Sequence, residues 1–226
     1  MAYYVGVDLG QANDYTAIVV VEAEPEDNHL YVRHIERLPL GTYYPDQVER
    51  IKEIVMDKRL VREVPEASGD FHSATWGAGF RAVGTQSVAR SAASVPPDVV
   101  VDATGVGRPV VDMMRREGLR FYPVLITGGD TEHTGGGFYR VPKRNLVSSV
   151  QVALQTGSLE IHPDLKLAET LRKELLAFRI KINLTTSHDS YEAWREGDHD
   201  DLVLAVALAC WRVRKRQGAA VYAFRY

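Results

Sequence analysis

The chain has 226 residues, of which 45% are hydrophobic and 25% charged, with a formal net charge of −3 and a single cysteine. That size supports one large domain or two small ones with a sizeable core, and the charge excludes a protein coated in basic surface, so any nucleic-acid contact needs a local patch. Cys210 alone excludes a disulfide framework and a cysteine-based zinc site; it fits a reducing compartment and, in an apolar helix, reads as a packed core thiol. No amino-terminal signal segment is visible and the longest apolar run, Leu202 to Trp211, is too short to span a bilayer. The expectation is a soluble, intracellular protein with no membrane partner.

Apolar residues from Tyr4 run up to Asp8, Gly10 begins a bend, and a β-branched run returns from Thr16 to Glu22. This is a hairpin whose first strand delivers a carboxylate into a turn. A buried carboxylate needs a cation or hydrogen bonds, although an Asp here can also cap its own turn. His29 to Arg37 alternates at period two, a third antiparallel strand on which His29 and His34 read as surface residues. Pro45 opens a helix with Val48, Ile51, Ile54 and Val55 on one face. Residues Val64 to Pro97 are rich in Gly, Ala and Ser without clear periodicity, and read as an insertion or a flexible loop.

Asp98 to Asp102 is an all-apolar central strand bounded by two acids, followed by Thr104-Gly105-Val106-Gly107. Pro109 starts a helix that Gly118 closes, and Phe121 to Ile126 is a strand, giving a strand–helix–strand unit with parallel pairing. Thr127 to Gly137 reads as a Gly-rich loop containing His133. Arg140, Lys143 and Arg144 follow at the start of a helix marked by Leu146, Val147, Val150 and Leu154 and ended by Gly157. Leu159 to Ile161 is a short strand. Pro163 and Asp164 open a helix with Leu167, Leu171, Leu175 and Phe178 on one face. Arg179 to Thr186 alternates as a strand leading to a hairpin tip at Thr185 to Ser190. Gly197-Asp198-His199-Asp200-Asp201 then precedes the apolar helix Leu202 to Trp211, whose basic end, Arg212 to Arg216, suits a helix carboxyl terminus.

Asp8 in the first strand, Asp102 at the end of a central strand and Asp201 at the start of a helix form one constellation. If the two strands are neighbours and the helix crosses them, the three carboxylates meet, and Asp198 and Asp200 stand close enough to assist. Like charges so placed need a cation, and oxygen ligands suit Mg²⁺ or Mn²⁺. Two such ions could hold a scissile phosphate. Each acid alone also has a structural role open to it, Asp198 and Asp200 as helix caps and Asp102 as a loop residue.

Gly6-Val7-Asp8-Leu9-Gly10, Asp98 to Gly107 and His199-Asp200-Asp201-Leu202-Val203-Leu204-Ala205 together resemble the carboxyl-terminal nuclease domain of large terminase subunits of tailed bacteriophages. Lys143 to Glu160 and Glu174 to Glu196 also look like that family. The resemblance implies an α/β, ribonuclease H-like fold: a central mixed sheet of three antiparallel strands then parallel strands, flanked by helices, as one domain over residues 1–226. It implies a two-metal Mg²⁺- or Mn²⁺-dependent endonuclease that cuts double-stranded viral DNA concatemers with low sequence specificity. Asp8, Asp102 and Asp201 would be the catalytic, metal-binding acids, with Asp200 and Asp198 as further candidates. It also implies partners: an ATPase motor domain in the full-length protein, a small terminase subunit and the portal of the procapsid, in the host cytoplasm. There is no G-x-x-x-x-G-K-[ST] phosphate loop, so the chain reads as a nuclease domain without the motor.

Arg140, Lys143 and Arg144 are the first candidates for phosphate contact, with His133 in the preceding loop beside them; Arg212, Arg214, Lys215 and Arg216 are second. Three other functions compete. Asp8-x-Gly10 and Asp102-x-x-Gly105-x-Gly107 resemble the phosphate loops of actin and sugar-kinase ATP-binding domains. A Holliday-junction resolvase shares the acid pattern. A non-catalytic docking module for the portal would keep the fold alone.

Overall fold

The computed structural model describes residues 1–10, 14–24, 29–64, 93–105, 107–184 and 200–223. Three successive strands, β1 (Ala2–Asp8), β2 (Ala17–Ala23) and β3 (Leu30–Arg37), pair antiparallel. Helix α1 (Tyr44–Val55) follows, with Pro45 in its first turn. A two-stranded ribbon, β4 (Arg62–Val64) with β5 (Ala93–Val95), brackets residues 65–92, which lie outside the described residues.

The second half comprises β6 (Asp98–Asp102), α2 (Gly107–Arg116), β7 (Phe121–Thr127), β8 (His133–Gly135), β9 (Phe138–Pro142), α3 (Lys143–Gln155), β10 (Leu159–Ile161), α4 (Ala168–Leu184) and α5 (Asp201–Ala223). One mixed sheet of eight strands results, in the order β10-β3-β2-β1-β6-β7-β9-β8. The β1-β6, β6-β7 and β7-β9 pairs are parallel. The α/β class and the progression from antiparallel to parallel strands are those expected from the sequence.

Alternation along the central strands divides their side chains between two cores. Val5, Val7, Val99 and Val101 pack with Val48 and Ile51 of α1 and Met114 of α2. Tyr4, Val100 and Val124 face the other way, onto Leu146 of α3, Leu171 of α4 and Leu202 to Val213 of α5. Residues Leu202 to Trp211 are buried all round, which explains why α5 is apolar without an amphipathic stripe. No helix among the described residues is long and apolar enough to cross a membrane.

Contact between α5 and the sheet depends on one missing side chain. A Cβ on Gly6 would stand 1.9 Å from the Ala205 carbonyl oxygen and 3.1 Å from the Ala209 nitrogen. Glycine lets the helix backbone rest directly on β1. Arg212 and Arg216 of α5 both donate to Asp98 at the start of β6. The helix therefore runs antiparallel to β1 and β6. From Asp201 to Arg212 it advances ~16 Å at ~1.5 Å per residue. Asp98 to Asp102 spans ~13 Å at ~3.3 Å per residue. The amino end of α5 thus lies over the carboxyl ends of β1 and β6.

Four local expectations are corrected. Residues Arg179 to Leu184 continue α4 instead of forming a strand. Their alternation is also compatible with the helical pattern set by Leu171 and Leu175, and extending a helix costs far less than nucleating a new element. That helix begins at Ala168, after a turn at residues 163–167, and not at Pro163. The stretch Thr127 to Gly137 is only partly loop: His133 to Gly135 pair with Phe138 to Arg140 as a hairpin across Gly136 and Gly137, both at positive φ. Arg212 to Arg216 sit within α5, which extends to Ala223, and do not end it. The hairpin tip expected at Thr185 to Ser190 lies outside the described residues.

Candidate functional site

Asp8 and Asp102 end neighbouring parallel strands and are partners in register. Residues so paired lie ~4.8 Å apart with side chains on one face, and here that face is the one α5 covers. Asp8 is partly exposed; Asp102 is buried. The same row continues through β2 and β3: Asp8 pairs with Ala17, and Ala17 with Arg37. Arg37, Ala17, Asp8 and Asp102 therefore form a line across four strands.

Asp201 joins this row from above. It opens α5 one turn before Ala205, the residue lying on Gly6, while Asp8 lies two residues beyond Gly6. Its Oδ2 is 3.1 Å from Nη2 of Arg37. The same Nη2 donates to Glu174 Oε1 of α4 at 2.6 Å. Asp200 stands beside Asp201, and its carbonyl accepts from the Leu204 amide at 2.9 Å, the first bond of α5. Asp198 lies outside the described residues.

Around Asp102 the chain turns sharply. Asp102 Oδ1 accepts from the Thr104 amide at 2.8 Å and from Thr104 Oγ1 at 2.5 Å, and Oγ1 in turn accepts from the Ile126 amide at 2.9 Å. One carboxylate oxygen is thus committed to the turn, as the loop role anticipates. After Asp8, the Gly10 amide donates to Thr16 Oγ1 at 2.9 Å, and Gln47 of α1 donates to the Gly10 carbonyl at 3.3 Å. The bend that positions Asp8 is held from both sides.

Two residues of this cluster were not singled out in the sequence, Arg37 and Glu174. A signal for each existed. Arg37 follows Ile35 by two on an alternating strand, so it falls on the core face. Glu174 follows Leu171 by three, so it falls on the apolar stripe of its helix. Burial drives the Glu174 carboxyl up to about 7; Arg37 pulls it down, and Asp201 and Asp200 add to the rise.

A divalent ion suits this donor set in chemistry. Every donor is a carboxylate oxygen, which hard cations prefer, and Glu174 Oε2 is buried with no hydrogen-bond partner. Among the described residues, however, no group of three or more His, Cys, Asp or Glu side chains has converged closely enough to grip an ion. Arg37 spans two of the acids instead.

The expected cations divide between the two faces of the sheet. Lys143 and Arg144 begin α3 directly after β9, at the same end of the parallel strands as Asp8 and Asp102. Arg144 also pairs with Asp130, through Oδ1 at 2.6 Å and the carbonyl at 2.8 Å. Arg140 and His133 are register partners in the β8–β9 hairpin. Arg140 alternates with Tyr139 and Val141, which face α5, so it falls on the opposite face from the acids. Arg212 and Arg216 of the second patch are engaged with Asp98, and Lys215 with Glu132.

No family model matches the chain, and no curated protein sequence matches it. Among solved structures it is similar to the large terminase nuclease of the thermophilic phage G20c, with 18% identity and a TM-score of 0.51 over 92% of this chain and 80% of that one. It also aligns with the manganese-soaked human cytomegalovirus terminase nuclease domain, at 13% identity and a TM-score of 0.48 over 92% of this chain and 81% of that one. The likeness is one of fold and extends over most of the chain: the mixed α/β sheet is similar to that of the phage terminase nuclease.

Proposed function

We propose that the chain is a divalent-metal-dependent endonuclease that cuts double-stranded DNA during viral genome packaging, with little sequence preference. The observation that carries this reading is the register pairing of Asp8 with Asp102 beneath the amino end of α5, where Asp201 stands. Terminase nucleases share the fold, and the surroundings of Glu174 favour a cation.

Asp8, Asp102 and Asp201 are the acids that would hold the ions, with Asp200 and Asp198 as assisting carboxylates. Mg²⁺ or Mn²⁺ bound there would supply activation of a water and neutralisation of charge at the leaving oxygen. The chain's own residues do the rest. The Thr104 turn fixes the Asp102 carboxylate. Lys143 and Arg144 receive the DNA backbone at the acid end, and Arg140 and His133 contact it from the hairpin, across the sheet edge. In a virus the domain, spanning residues 1–226, acts beside an ATPase motor, a small subunit and the portal, in the host cytoplasm.

Plasmid nicking by the purified protein with Mg²⁺ or Mn²⁺ tests this. Activity is expected to vanish with chelator and in Asp8→Ala, Asp102→Ala and Asp201→Ala taken one at a time. Metal-dependent cleavage that survives all three separately overturns the assignment. Tight ATP binding by calorimetry would favour the kinase-like alternative instead.

A further inference from the structure

Arg37 occupies a position where strand alternation calls for an apolar side chain, and its side chain is only 14% exposed. Its partners come from three other elements or segments. Nη2 reaches Glu174 of α4 and Asp201 of α5, and the guanidinium carbon stands 5.2 Å from the centroid of the Tyr15 ring, just before β2. Its register neighbour Ala17 is small, so nothing on β2 fills the row between Arg37 and Asp8.

The geometry points to Arg37 as a positioning residue for the metal site. It holds the Asp201 carboxylate through an ion pair to Oδ2 at 3.1 Å, at the start of α5 and over the strand ends that carry Asp8 and Asp102. This inference rests on the proposed function. Both carboxylates are reached by one nitrogen, Nη2, while the delocalised guanidinium lies over the Tyr15 ring, a combination that the compact ammonium of lysine does not offer. Without it, Asp201 and Glu174 would be two low-exposure carboxylates brought together with no shared counterion, and α4 and α5 would lose the group that sets their spacing. Ligating carboxylates oriented by an outer partner bind metal more tightly, and loss of that partner typically costs about 10–100-fold in affinity; for Asp201 the partner is the ion pair with Arg37. A guanidinium that simply competed with the ion would give the opposite sign.

Mn²⁺ titration by calorimetry on the purified chain separates these outcomes, with folding of each variant confirmed by circular dichroism. Arg37→Gln is expected to weaken Mn²⁺ binding by ~10–100-fold, and Arg37→Lys to recover part of the loss. Glu174→Gln, which leaves Arg37 in place but removes one of its charged anchors, should give a smaller loss. If Arg37→Gln does not fold, Arg37→Lys and Glu174→Gln carry the test, and both must bind more weakly than the wild type. Mn²⁺ affinity equal to or tighter than wild type in the folded variants overturns the inference while leaving the proposed function intact. A wild-type chain that takes up no Mn²⁺, or an Asp102→Asn variant that binds it as well as wild type, overturns the proposed function and this inference with it.

Discussion

Helix α5 meets the sheet with an opposite balance of charge at each end. At the amino end of the parallel strands, one carboxylate is met by two guanidiniums: Asp98 Oδ2 accepts from Arg212 at 2.9 Å and from Arg216 at 3.5 Å, with the Arg212 guanidinium 3.6 Å from the centroid of Tyr122. At the carboxyl end, one guanidinium is shared by two carboxylates, and Glu174 keeps a buried oxygen without a hydrogen-bond partner. The first arrangement is complete in itself and anchors the helix. The second leaves a buried carboxylate oxygen that the proposed cation would complement. The same helix and the same pair of strands thus supply a structural clamp at one end and the proposed site at the other.

Substitutions at the two ends should therefore behave differently, and the largest contrast is expected at the carboxyl end. Asp102→Asn keeps the turn geometry but removes the charge, and should abolish measurable Mn²⁺ uptake while the melting temperature in chelator changes little. Gly6→Ala acts between the two ends: its Cβ cannot fit 1.9 Å from the Ala205 oxygen. It should cost about 3 kcal/mol in denaturant unfolding and weaken Mn²⁺ binding by lifting Asp201 from Asp8. Arg212→Ala at the amino end should cost about 2 kcal/mol by leaving Asp98 poorly compensated, with Mn²⁺ affinity unchanged. Loss of Mn²⁺ affinity there would erase the distinction between the ends.

Smaller effects sharpen the picture. Glu132 gathers hydrogen bonds from Lys215 and Trp211 of α5 and from Asn145 of α3. Burial acts to raise its pKa, but those donors outweigh it and hold the carboxyl below the ordinary 4.5. A lowered folded-state pKa stabilises the protein above the unfolded value, and the benefit is lost as pH falls through the folded one. Glu132→Gln should therefore melt at a lower temperature than wild type at pH 7, with the gap closing below about pH 4.5. Least of all, Lys143→Ala should leave folding unchanged and reduce the salt slope of duplex binding by about 1. Arg144→Ala should do less, because Asp130 already engages that side chain.

Legibility in the sequence tracked how local the determining physics is. The strands that carry Asp8 and Asp102 were readable because an all-apolar run ending in a carboxylate has few other meanings, and the hairpin return from Thr16 fixed the first pairing. The convergence of those acids with the start of α5 could only be supposed, since it depends on a glycine contact between residues 6 and 205. Arg37 and Glu174 escaped because each lies on an otherwise correctly read strand or helix, where a single charge in an apolar pattern is easily assigned to solvent. Residues 179–184 read as a strand but are helical, because period-two alternation over a short run does not exclude helix once a helix is already growing. The β8–β9 hairpin was hidden by its glycines, which weaken a strand pattern while making the turn between the strands.

The ribbon of β4 and β5 has a practical consequence. Val64 and Ala93 are register partners, so the chain departs and returns across a gap of one strand spacing, close to the start of β6 and remote from the acids. A two-residue Asn-Gly turn is long enough to join those ends. The paired ends Val64 and Ala93 are therefore a splice point, where a tight turn bearing a dye or a tether can be carried on the ribbon.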